Sequence, residues 1–113
     1  MMSDVISVKG TIELNQLTQE NAQALKEQTI SSGSGFNVTD DCIYLSDIDN
    51  RHRFLENYCL FLASLLPEGH VQLTFACHGE TVTDRRDLII EGKRVFIQYY
   101  SLEKAEREEY KGE

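Results

Sequence analysis

Cys77-His78 is the place in this chain where a nucleophile stands beside a base. A histidine within hydrogen-bond reach of a thiol favours the reactive thiolate. These two residues close the alternating run Val71 to His78, and neighbours on a strand point to opposite faces. Cys77 is therefore expected in the core with Phe75, and His78 in solvent. No catalytic residue is assigned.

Metal chemistry fares no better. Cys42, Cys59, Cys77, His52, His70 and His78 are ligand types for zinc, but none has the close Cys–Cys or His–His spacing that preforms a tetrahedral site. Asp47-Ile48-Asp49-Asn50 is similar to the start of a calcium loop. His52, however, stands where such a loop needs glycine, and Tyr58 where it needs its last glutamate. The segment reads instead as a strand end followed by a helix cap, with both aspartates near the positive end of that helix. Ser31-Ser32-Gly33-Ser34-Gly35 lacks the Lys-Ser/Thr of a phosphate loop and reads as a connector. No metal ligand and no cofactor are expected.

Charge is the stronger signal. The chain carries a net charge of −8 over 113 residues. Residues 1–50 hold eight acids and two bases, residues 51–100 hold six of each, and residues 101–113 carry a net −2. Such a surface repels phosphate backbones and attracts basic proteins. Arg85, Arg86, Lys93 and Arg94 form two small clusters about 20 Å apart along an extended chain, not one basic groove. Arg51 and Arg53 are expected to pair with Asp47 and Asp49. No direct contact with nucleic acid is expected.

The candidate partner-binding residues are therefore Asp40, Asp41, Asp47, Asp49 and Glu56, with Tyr100. Asp40-Asp41 is expected at a hairpin tip, and the other acids along the start of the following helix. Tyr99-Tyr100 closes the strand 94–100, where an outward tyrosine offers large area at low entropy cost. If that strand is an edge, it also offers pairing with a second copy, hence a homodimer.

The elements that position these residues follow from periodicity. Ile6, Val8, Ile12 and Leu14 alternate through a half-buried strand, with Gly10 marking a bulge or a place where a helix packs close. Asn15 or Thr18 caps a helix to about Ile30, with the narrow stripe Leu17, Asn21, Ala24, Leu25, Gln28. Phe36–Thr39 and Cys42–Ile48 are short strands around Asp40-Asp41. Asp49 or Asn50 caps the main core helix, whose wide stripe runs from Phe54 to Leu66 before Pro67 ends it. Val71–Cys77 is the clearest strand. Residues 87–91 and 94–100 form a hairpin through Glu91-Gly92-Lys93, after a polar loop over 79–84. Residues 101–113 are expected as a charged tail or short helix.

The order β-α-β-β-α-β-β-β implies an α+β fold over residues 1–100. One mostly antiparallel sheet would carry both helices on one face, in a ferredoxin-like arrangement or a variant. Ile6, Val8, Val71, Leu73 and Phe75 would line the sheet's inner face.

There is no apolar run of about 18 residues, so no membrane span is expected. Met1-Met2-Ser3-Asp4 begins no signal peptide. Three cysteines suit reduced thiols in a cytoplasmic protein. These features point to a non-enzymatic acidic protein of bacterial or phage type. It would act as an inhibitor, like toxin-immunity or anti-CRISPR proteins, occupying the nucleic-acid-binding surface of a basic nuclease, toxin or effector as a nucleic-acid mimic. The alternatives are a self-associating module that dimerises through its C-terminal strand, and a small ligand-binding domain or enzyme with a His/carboxylate site.

Overall fold

A computed structural model describes residues 5–32, 35–79, 85–100 and 105–112. Residues 1–4, most of the 79–84 loop, Gly33-Ser34 of the connector and residues 101–104 lie outside the described residues. The described elements are β1 (Val5–Glu13), a 3-10 turn (Leu14–Gln16), α1 (Gln19–Ser32), β2 (Phe36–Val38), β3 (Cys42–Asp49), a second 3-10 turn (Arg51–Arg53), α2 (Phe54–Leu65), β4 (Leu73–His78), β5 (Arg86–Glu91), β6 (Arg94–Tyr100) and β7 (Ala105–Tyr110). The strands form one seven-stranded sheet in the order β2-β3-β1-β4-β5-β6-β7. Every neighbouring pair is antiparallel.

Alternation sets the faces. Val8 and Ile12 of β1, Ile43 and Leu45 of β3, Phe75 and Cys77 of β4, Leu88 and Ile90 of β5, and Val95 and Ile97 of β6 are buried in one core. Leu25 of α1 joins them, with Leu55, Tyr58, Cys59, Leu62 and Ala63 of α2. His78 is exposed, as the alternation requires. The β1–β3 register slips between Ser7 and Gly10, so Ile6 pairs with Ile48 while Gly10 pairs with Leu45. After the slip β3 buries Ile48 and leaves Asp47 in solvent. A Cβ at Gly10 would lie 2.1 Å from Cδ1 of buried Phe75. Gly10 therefore marks a bulge, and what packs close on it is the Phe75 ring of β4 and not a helix.

The caps follow the local rules. Thr18 Oγ1 accepts the Asn21 N–H at 3.1 Å and starts α1. Asn50 Oδ1 accepts the Leu55 N–H at 2.6 Å, so its side chain satisfies the first turn of α2 across the second 3-10 turn. Within that turn His52 and Arg53 take φ of +55° and +56°, a conformation costly for residues with a Cβ.

Four expectations are corrected. Val71 is 80% exposed, because β4 starts only at Leu73. Residues 105–110 are neither tail nor helix: they pair with β6 from Val95–Tyr110 to Tyr100–Ala105, and Tyr110 is buried. The 94–100 strand is consequently covered by β7 and is not an edge. The α1 stripe also differs. Leu25 and Thr29 are its buried residues and Gln28 is exposed, because the Thr29 hydroxyl finds partners in Leu25 O and Tyr58 Oη at 2.6 Å each.

Candidate functional site

The acids do not converge on one edge. Asp40 and Asp41 occupy the β2–β3 turn. Thr39 builds that turn: its Oγ1 accepts the Cys42 and Asp41 N–H groups at 3.0 and 3.3 Å. The Leu14 N–H donates to Asp41 O at 2.8 Å and ties the turn to the end of β1. Asp49 stands at the far end of the eight-residue β3, about 25 Å away at the rise of an extended strand. Asp47 lies near that far end, exposed opposite Ser7.

Two of these acids serve the molecule itself. Arg51 Nε and Nη2 donate to Asp49 Oδ2 at 2.9 and 2.7 Å, and the Arg51 N–H donates to Oδ1 at 3.2 Å. These bonds, Arg51's side chain foremost, hold the Asp49 carboxyl below its ordinary value. The expected pairing of Arg51 is thus present, whereas Arg53 stacks over Tyr110 at 5.6 Å. Glu56 is a correction: it is 3% exposed. Its Oε1 accepts from Asn50 Nδ2 at 2.8 Å, and Arg86 lies 4.0 Å from Oε2. A carboxylate held inside by an amide and a guanidinium is no surface contact.

Tyr100 is 38% exposed and on the solvent side of the sheet. Its hydroxyl donates to Asp87 Oδ2 at 2.7 Å, and Arg85 lies 4.7 Å over its ring.

The bases of the second half are similarly committed. Arg94 bonds Glu109 and lies 5.0 Å over Phe96. Arg107 bonds Glu91 at 3.0 Å and lies 4.2 Å over the same ring. Lys93 donates to the Leu66 and Ser64 carbonyls at the end of α2. In contrast, among the described residues no ion pair engages Glu13, Asp40, Asp41 or Asp47.

Sequence reasoning missed Tyr44. It is 44% exposed on β3, opposite Thr11 of β1 and Asn37 of β2. Its phenol is held above the ordinary value, first by a hydrogen bond with Cys42, then by burial and the Asp41 and Glu13 carboxylates. The signal was available, since alternation that buries Ile43 and Leu45 must turn Tyr44 outward.

An open cleft of about 390 Å³ lies beside the acidic turn, lined by Leu14, Leu17, Ala22 and Lys26 with Asp40 and Asp41. A smaller one of about 150 Å³ is lined by Gln28, Phe54, Asn57, Tyr58 and Phe61. Neither is lined by a histidine. Both ring nitrogens of His70 are 2.8 Å from backbone carbonyls, those of Val71 and Gly92. Burial raises the Cys77 thiol to about 12 and the Cys59 thiol well above its ordinary value, so both are inert. Cys42, Cys59 and Cys77 are free thiols. Among the described residues no group of three His, Cys, Asp or Glu side chains is placed to hold a metal ion. No described helix is long and apolar enough to cross a membrane. Compared with known proteins, the chain matches no protein-family model, no curated protein and no solved structure.

Proposed function

We propose that this chain is a non-enzymatic protein-binding module that uses its acidic half to occupy a basic, nucleic-acid-binding surface of a partner protein. The inhibitor role, of immunity or anti-defence type, in a cytoplasmic setting belongs to the same proposal. One observation carries it: Glu13, Asp40, Asp41 and Asp47 lack ion pairs among the described residues, while the arginines of the second half are spent on rings and carboxylates within the fold. Unpaired carboxylates steer a basic partner and keep their charge available to it.

The ferredoxin-like reading rests on the order β2-β3-β1-β4 of the first four strands, with β5, β6 and β7 added as a meander beside β4. Placement of both helices on one face is supported by two hydrogen bonds between them, Asn21 Nδ2 to Leu65 O at 3.0 Å and Thr29 to Tyr58. The C-terminal-strand dimer is the weaker reading. The edge strand β7 carries Glu106, Arg107, Glu108 and Glu109 in succession, and charged edges discourage strand pairing.

The test is capture of partners on the immobilised protein from its host's lysate, eluted with a salt gradient, beside the variant Glu13→Gln/Asp40→Asn/Asp41→Asn/Asp47→Asn. A basic protein released by salt from the wild type and missing from the variant is the expected result. Equal capture by both contradicts the proposal.

A further inference from the structure

We infer that the solvent side of β1–β3 around Tyr44 docks an arginine side chain of the basic partner, the guanidinium lying over the phenol ring between Glu13 and Asp41. The inference rests on the acidic-module reading and assigns that surface its contact point.

The molecule supplies the comparison. A guanidinium lies 4.7 Å over Tyr100, 5.6 Å over Tyr110, and 5.0 and 4.2 Å over Phe96. Tyr44 is more exposed than Tyr100, at 44% against 38%, yet among the described residues no guanidinium lies over it. Residues 1–50 contain no arginine that could do so.

Carboxylates surround the ring instead. Glu13 pairs across the ladder with Cys42, two residues from Tyr44, and Asp41 precedes Cys42. Both add to the rise in the phenol's pKa, behind the larger effect of the Cys42 hydrogen bond, so both carboxylates act on the ring. Lys9 is the one base of β1; it is on the same exposed face, two residues before Thr11, and its backbone pairs with Ala76 of β4. The negative face of an aromatic ring attracts a cation, and flanking carboxylates strengthen that attraction and receive the guanidinium N–H groups. Charge complementarity therefore selects a cationic occupant, and the flat ring selects arginine over lysine, because the planar guanidinium stacks.

The probe is a labelled peptide of alternating arginine and glycine, titrated into the full chain at low and at moderate salt. Binding is read by fluorescence anisotropy and located by amide shifts in NMR. The wild type should bind in a salt-sensitive manner, with shifts centred on Thr11, Glu13, Cys42 and Tyr44. Tyr44→Leu should weaken binding about three- to five-fold, whereas Tyr44→Phe should stay within about two-fold because the ring is kept. Tyr44 is exposed, so both variants should fold, and the amide spectrum checks this. Salt-sensitive binding that Tyr44→Leu leaves unchanged, or that maps to the cleft beside Leu17 and Asp40, overturns the inference and spares the acidic-module reading. No binding to the wild type at low salt overturns both.

Discussion

The two ends of this sheet handle charge in opposite ways. In β5–β7 the half-buried ring of Phe96 and the exposed ring of Tyr100 lie under guanidinium groups, and Arg94 and Arg107 each also hold a carboxylate. In β1–β3 Tyr44 stands among carboxylates with no cation above it in the described residues. One end spends its arginines on its own rings and carboxylates, although Arg86 Nε and Asp87 Oδ1 stay buried without hydrogen-bond partners. The other keeps like charges together, which weakly opposes folding and leaves them available to a partner.

The two ends of the sheet meet at β1 and β4. Gly10 is the seam between β1 and β4, where a Cβ would run into Phe75, a ring 1% exposed and unable to yield. Gly10→Ala should cost about 1–3 kcal/mol in chemical denaturation. A cost near zero would mean that β1 and β4 pack more loosely than described.

Alkaline pH tests the shared core. Burial raises Cys77 from 9.0 to about 12, and raises Cys59 in the same direction. The unfolded thiols lose their protons first, so this stability is complete below about pH 9 and is lost as pH rises towards 12. Between about pH 8 and 10 the unfolding free energy from chemical denaturation should fall by on the order of 1 kcal/mol per buried thiol. The double variant Cys59→Ala/Cys77→Val should flatten that slope. An unchanged slope would place the thiols in solvent.

Thr29→Val separates the helices at one bond, removing the hydroxyl that meets both Leu25 O and Tyr58 Oη. It should cost about 1 kcal/mol, and the near-ultraviolet signal of Tyr58 should change with it. The smallest effect belongs to the acidic end. Asp41→Asn and Asp47→Asn should leave stability within about 0.5 kcal/mol, since neither carboxylate holds a partner in the described residues. A larger loss would show that these acids act in the fold.

Local rules made much of this legible from sequence. Gly10 in an alternating run announced the bulge, Thr18 the start of α1, and the alternation through Cys77-His78 the burial of one and exposure of the other. What escaped depends on distant partners. β7 has little apolar signal, and only the β6 ladder and the seat for Tyr110, whose hydroxyl donates to Asn57 Oδ1 at 2.6 Å, make it a strand. Glu56 reads as a surface acid until Arg86, thirty residues later in the chain, arrives beside it. The acidic set reads as one cluster until β3 stretches between its two parts.

The most direct measurement compares two variants of equal net charge for binding the arginine–glycine peptide. One neutralises the first end, by Glu13→Gln, Asp40→Asn, Asp41→Asn and Asp47→Asn. The other neutralises the second, by Glu91→Gln, Glu106→Gln, Glu108→Gln and Glu109→Gln. Loss of binding in the first, with the second close to wild type, is the predicted result. Equal loss in both would mean that only net charge matters, and would contradict the division of the sheet into an end with committed arginines and an available one.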